Sequence, residues 1–95
     1  MSEEKLTDAE IAAALADLPG WTLADGAISR TFTCASFPDA ITFATRIAFD
    51  AEAADHHPDF QISYKTVVVT WSTHSAGGVT KKDVDAARLT DRRFA

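Results

Sequence analysis

The sequence predicts an α+β domain of two layers, ordered α-β-β-α-β-β-α, with a four-stranded antiparallel sheet covered by helices on one face. Three observations predict it. A helix-start pattern, Ser or Thr followed three residues later by an acid, occurs at Thr7/Glu10, Ser36/Asp39 and Thr80/Asp83. Between those starts lie two stretches of alternating apolar and polar residues, each interrupted by turn residues. A chain of 95 residues that is 46% hydrophobic suits one domain spanning residues 1–95.

The elements follow in chain order. Leu6 and Ile11 flank the Thr7 cap as a hydrophobic staple. Ile11, Leu15 and Leu18 then recur at helical spacing until Pro19-Gly20 stops the helix. Next, Ile28, Arg30 and Phe32 alternate with Ser29, Thr31 and Thr33. Asp25-Gly26 is a turn signal, so Trp21–Leu23 and Ala27–Cys34 pair as a hairpin. Cys34 falls in this alternation and reads as a small core or edge residue. After the Ser36 cap, Pro38 is tolerated in the first helical turn. Phe37, Ile41, Ala44, Ala48 and Ala51 share one face, broadened by Ile47. This longest helix carries Glu52 and Asp55 at its far end, and Pro58 ends it.

Asp59–Ser63 and Thr66–Thr73 form a second hairpin with its turn near Tyr64-Lys65. Val67, Val69 and Trp71 point to the core, and Thr66, Val68, Thr70 and Ser72 point away. His74 ends the strand and residues 75–78 form a loop. A last helix begins near Lys81, with Val79 and Val84 as its staple, and frays at Arg92-Arg93. Two hairpins separated by a long helix can join into one sheet. Its polar outer face and unpaired edge suit a homodimer or a dimer of dimers.

Charge and composition exclude several function classes. A net charge of -5 and a pI of about 4.9 disfavour direct nucleic-acid binding and docking on anionic membrane. No apolar run approaches the ~20 residues that span a bilayer. The start, MSEEKLTDAE, lacks the basic and apolar regions of an export leader, so a cytoplasmic location is expected. A single cysteine excludes an intrachain disulfide.

The chemistry concentrates in Asp55-His56-His57-Pro58 and His74, which hold all three histidines. His56-His57 precedes the second hairpin and His74 follows it. The two ends of an antiparallel hairpin lie together, so the histidines are expected near one another. Glu52 stands four residues before His56 and shares its face if the helix reaches that far. Three readings compete: polar surface residues, a metal site, and acid-base chemistry on a small organic ligand. Adjacent residues running into a strand point to opposite faces, so His56 and His57 do not readily share one ion. Ser72, Thr73 and Ser75 could supply hydroxyls to hold a ligand. Asp83 reads as a helix-cap partner, Tyr64 as turn structure, and Trp21 as a core, interface or pocket-border aromatic.

The spacing Glu52-x3-His56-His57-Pro58-x5-Tyr64-x9-His74-x8-Asp83 resembles the signature of the pterin-4a-carbinolamine dehydratases. The likeness extends through Gly20-Trp21, the Phe37 region and Thr45-Arg46, covering roughly residues 7–90. That family's fold has the same α-β-β-α-β-β-α order. The resemblance implies dehydration of a 4a-hydroxytetrahydropterin, the product of aromatic amino acid hydroxylases, to the quinonoid dihydropterin. It implies no metal or organic cofactor. In its terms His56, His57 and His74 are catalytic. His56 and His74 look like the acid-base pair, and His57 positions the substrate. Asp55 and Ser72-Thr73-His74-Ser75 look like the pterin-binding strip, while Glu52 orients His56 or helps hold the ring. Animal members also act as dimerisation cofactors for a transcription factor, so the alternative is a regulatory module of the same fold acting through a protein partner. Nothing in the motif carries that role.

Overall fold

The computed structural model describes residues 4–94. Its elements are α1 (Asp8–Leu15), β1 (Thr22–Ala24), β2 (Ala27–Thr33), α2 (Phe37–Ala54), β3 (Asp59–Ser63), β4 (Thr66–Trp71), a 3-10 turn (His74–Ala76) and α3 (Lys81–Phe94). The strands form one antiparallel sheet in the order β1-β2-β4-β3. The central pair, β2 and β4, sets Ile28 against Trp71 and Phe32 against Val67. The inward residues Ile28, Phe32, Val67, Val69 and Trp71 are all buried. Ile11, Phe43, Ile47, Ala51, Val84 and Ala87 from the three helices cover them.

The ends of the elements differ from the sequence expectation in five places: β1 runs one residue later, over Thr22–Ala24, β2 ends one residue earlier, at Thr33, and three further differences have local reasons. α1 stops at Leu15, because Asp17 and Leu18 donate to the carbonyls of Ala14 and Leu15 and tighten the last turn ahead of Pro19. β4 stops at Trp71, because Thr73 leaves the ladder to pair with Gly78: its N–H donates to the Gly78 carbonyl at 2.9 Å. Helix α3 continues through Arg92-Arg93. Arg93 donates two hydrogen bonds to Asp50 of α2, at 2.7 and 3.0 Å, and the Phe94 ring lies 4.9 Å from Phe32 and 5.3 Å from Phe43.

Arg30 shares the inward face with Ile28 and Phe32. Its guanidinium lies 4.4 Å above the Phe32 ring and donates to Asp91 of α3 at 2.8 Å. Trp21 is core: its indole N–H donates to the same carboxylate at 2.9 Å. Gly20 is required beside them. Its φ is +93°, and a Cβ there would stand 2.9 Å from Arg30 Nε.

The end of α2 sets up the site. Asp55 takes the left-handed conformation at φ 53° and donates its N–H to the Glu52 carbonyl, while His56 N–H reaches back to Ala51 at 3.0 Å. This paired 5→2 and 6→1 pattern is a Schellman cap. It turns the chain out of the helix one residue before the histidine pair. Pro58 then delivers the chain into β3.

Candidate active site

Helix α3 begins on a buried carboxylate. Asp83 is 0% exposed. Its Oδ2 accepts the Thr80 N–H at 2.9 Å and the Thr73 hydroxyl at 2.8 Å, and its Oδ1 lies 2.6 Å from His56 Nε2. An ionised carboxylate only accepts, so facing one, Nε2 is the ring nitrogen of His56 that donates. The helix-cap role expected of Asp83 is present, through Thr80. The sequence did not reveal its second role, the partnership with His56. A Thr-x-x-Asp pattern looks the same whether the acid only caps or also holds an imidazole.

The His56 side chain is 12% exposed. Its ring stacks on Trp71 with centroids 5.3 Å apart and planes 21° from parallel. Trp71 is fixed in turn by its indole N–H, which donates to Thr90 Oγ1 at 3.1 Å. The imidazole is therefore held at one nitrogen and across one face. Nδ1 makes no hydrogen bond to another of the described residues. His56 lines a cavity of about 250 Å³ between α2 and α3 whose wall includes Ile47, Ala51, Ala54, Trp71 and Leu89. Asp50, Lys82 and Asp85 also line it. The guanidinium of Arg93, by hydrogen bond and then by charge, holds the Asp50 carboxyl below its ordinary range against the opposing effect of burial.

The other expected residues fall into two groups. Glu52 does not meet His56. Its Oε1 lies 2.8 Å from His57 Nε2, in a pair whose side chains are 83% and 58% exposed. The Schellman turn explains this, because helical spacing ends at Ala54 and the carboxylate is taken up by the second residue beyond the cap. His74 opens the 3-10 turn, and Ser75 beside it is also exposed. Asp59, at the start of β3, pairs with Thr70 near the end of β4, so His56 and His57 before β3 and Ser72 and Thr73 after β4 adjoin the same end of the hairpin. Asp55 is exposed at the helix cap. Thr73 is turned inward and only 4% exposed, with its hydroxyl committed to Asp83 and Thr80.

Tyr64 occupies the β3–β4 turn at φ 53° and is exposed, which is a turn position. Among the described residues no three His, Cys, Asp or Glu side chains converge on a point that could hold a metal ion. No helix among them is long and apolar enough to cross a membrane.

A family model described as pterin 4 alpha carbinolamine dehydratase matches residues 4–93. A protein of Nocardia farcinica (strain IFM 10152), provisionally named pterin-4-alpha-carbinolamine dehydratase, is 53% identical over 91 residues, covering 96% of each chain. A second, from Roseiflexus sp. (strain RS-1) and named the same way, is 49% identical over 92% of this chain and 94% of its own. The fold is similar to a crystal structure described as a transcriptional coactivator/pterin dehydratase from Brucella melitensis. Their TM-score is 0.92 and their identity 38%, over 97% of this chain and 100% of that one.

Proposed function

The chain belongs to the pterin 4 alpha carbinolamine dehydratase family, whose members are hydro-lyases, and from that premise we propose how its own residues act. The substrate is a 4a-hydroxytetrahydropterin and the product the quinonoid dihydropterin, which returns the pterin cofactor to aromatic amino acid hydroxylases. Hydroxide is a poor leaving group. An imidazolium therefore protonates the 4a oxygen as the C4a–O bond breaks, and the bonding pair leaves with water. The N5 lone pair closes the C4a=N5 bond, and N5 gives its proton to a base. Atoms and charge balance with loss of one water.

His56 is the acid in this reading. The observation that carries it is the 2.6 Å contact between His56 Nε2 and the buried Asp83 carboxylate. That contact holds the ring at Nε2 so that Nδ1 is the nitrogen that donates. His74, exposed on the 3-10 turn, takes the N5 proton and passes it to solvent. His57, held by Glu52, positions the ring system. Ser72, Ser75 and Asp55 line the same end of the hairpin and bind the pterin edge.

The substitution test is direct. His56→Ala and His74→Ala each lower dehydration by ~10²-fold or more with the fold retained. Wild-type activity in both variants would sink these roles.

The chain works as one domain, as a homodimer or dimer of dimers, in the cytoplasm, where the single thiol of Cys34 stays reduced. Two observations favour a second reading, a module acting through a partner protein. The Brucella melitensis relative is described as a coactivator as well as a dehydratase. Helix α2 also exposes Phe37, Ile41 and Phe49, the last 75% exposed. Purified protein that binds a partner yet gives no acceleration over spontaneous dehydration would favour this reading.

A further inference from the structure

The hydroxyls around Asp83 have only one consistent direction. Thr73 Oγ1 lies 2.8 Å from Asp83 Oδ2 and 2.8 Å from Thr80 Oγ1. A hydroxyl has one proton, and the carboxylate can only accept, so Thr73 donates to Asp83. Thr80 must then donate to Thr73. The remaining acceptor capacity of Thr80 takes the Lys82 N–H at 3.3 Å. The result is a one-way chain running Lys82 N–H, Thr80 hydroxyl, Thr73 hydroxyl, Asp83 carboxylate, with the His56 ring N–H arriving from the other side. Thr73, Thr80 and Asp83 are 4%, 2% and 0% exposed, and no buried side-chain polar atom among the described residues lacks a partner. Bonds aligned in this way polarise one another in a low-dielectric interior.

The chain also joins three elements. His56 precedes β3, Thr73 follows β4, and Thr80 starts α3. Thr73 is held at its backbone as well: it exchanges N–H and carbonyl bonds with Gly78, at 2.9 and 3.3 Å, closing the loop that begins with His74. The carboxylate that orients His56 therefore also anchors the residue directly before His74.

We propose that Thr73 is a positioning residue that couples the two histidines. Its hydroxyl holds the end of β4 on the Asp83 carboxylate and so fixes His74 relative to His56. Thr73 does not touch substrate. It acts through Asp83 on one side and through the chain bond to His74 on the other. This inference rests on the dehydratase reading for its kinetic consequence, but not for its geometry.

Thr73→Val keeps the branched shape and removes the hydroxyl, while Thr73→Ser keeps the hydroxyl and removes the methyl. The expected result is a kcat at least roughly tenfold lower in Thr73→Val, with KM within about twofold of wild type, and recovery of most of the loss in Thr73→Ser. A purely structural role would lower stability in both variants and leave kcat per folded molecule unchanged. The second readout is nuclear magnetic resonance of the His56 ring. Its Nε2 proton, held against a buried carboxylate, gives a slowly exchanging resonance that moves or disappears in Thr73→Val and is kept in Thr73→Ser. Should Thr73→Val fail to fold, Thr80→Val removes the next hydroxyl along the chain and is read the same way.

A Thr73→Val protein with wild-type kcat and an unmoved His56 resonance overturns the coupling. Should wild-type protein fail to accelerate dehydration, the dehydratase reading falls and the resonance alone decides. A shift in Thr73→Val then supports the coupling, and an unmoved signal overturns it.

Discussion

Asp83→Asn separates holding the histidine from holding the fold. The amide has one oxygen and one NH2 group. Two donors, Thr80 N–H and Thr73 Oγ1–H, converge on Oδ2, whereas Oδ1 meets only the His56 ring. The amide oxygen of the variant therefore stays on the Thr side and its NH2 faces His56. Nε2 must then accept, and the ring proton moves to Nδ1. The imidazole keeps its place and loses both its charge partner and its tautomer. Each bond to the carboxylate weakens from the charge-assisted range of about 1.5–3 kcal/mol to the neutral range of about 0.5–1.5. Relief from burying a charge offsets part of that loss. A net cost of about 1–2 kcal/mol follows, which for a domain of this size lowers Tm by ~4–16 °C. The rate falls much further, by ~10²–10⁴-fold, because the positioned acid is lost. Thermal unfolding, steady-state dehydration and ¹⁵N chemical shifts of the His56 ring test the three parts. An Asp83→Asn protein with kcat within about twofold of wild type and the proton still on Nε2 would refute the reasoning.

Three further outcomes follow from the same geometry. Glu52→Gln frees an exposed His57, so stability changes by less than about 1 kcal/mol while KM for the pterin rises; unfolding and kinetics on one preparation check both. Asp55 already holds a Cβ in the left-handed cap, so Asp55→Gly relieves that strain while Asp55→Ala keeps it, and the Gly variant should be the more stable of the two by about 1–2 kcal/mol; a KM increase shared by both variants isolates the ligand contact from the cap. The Asp50–Arg93 pair ties α2 to α3 and lowers the Asp50 pKa from its ordinary value of 3.8, chiefly through the Arg93 hydrogen bond. A depressed folded-state pKa gives stability that is complete above the unfolded value and lost as pH falls through the folded one. The Tm difference between wild type and Asp50→Asn should be largest above about pH 4 and shrink as the solution is acidified further. A difference that grows on acidification contradicts that assignment.

Much of the fold was legible in the sequence because its signals are local. Thr7/Glu10 forms a complete capping box, Ser36 caps α2, and the period-two runs became β2 and β4. The placement of His56 and His57 just before the second hairpin and of His74 just after it was also legible in the sequence. What stayed hidden was one local detail of a helix end and several nonlocal contacts. The pairing of Glu52 with His57 depends on where helical spacing ends, and that is decided by Asp55 adopting a positive φ. Asp83 reaches His56 across 27 positions of sequence, and Trp71 supports the ring from the neighbouring strand. The inward turn of Thr73 depends on β4 leaving the ladder at Trp71 to close the loop at Gly78. The contacts of His56 and Thr73 with Asp83 exist only once the sheet has brought the second hairpin up to the start of α3.

The central claim is that this chain removes water from a 4a-hydroxytetrahydropterin with a histidine held by Asp83. The most direct measurement generates that substrate in situ with an aromatic amino acid hydroxylase and follows quinonoid product formation with purified protein added. The account predicts acceleration over the spontaneous reaction in wild type and its loss, by ~10²-fold or more, in His56→Ala. A wild-type rate equal to the spontaneous one, from folded protein, would contradict it.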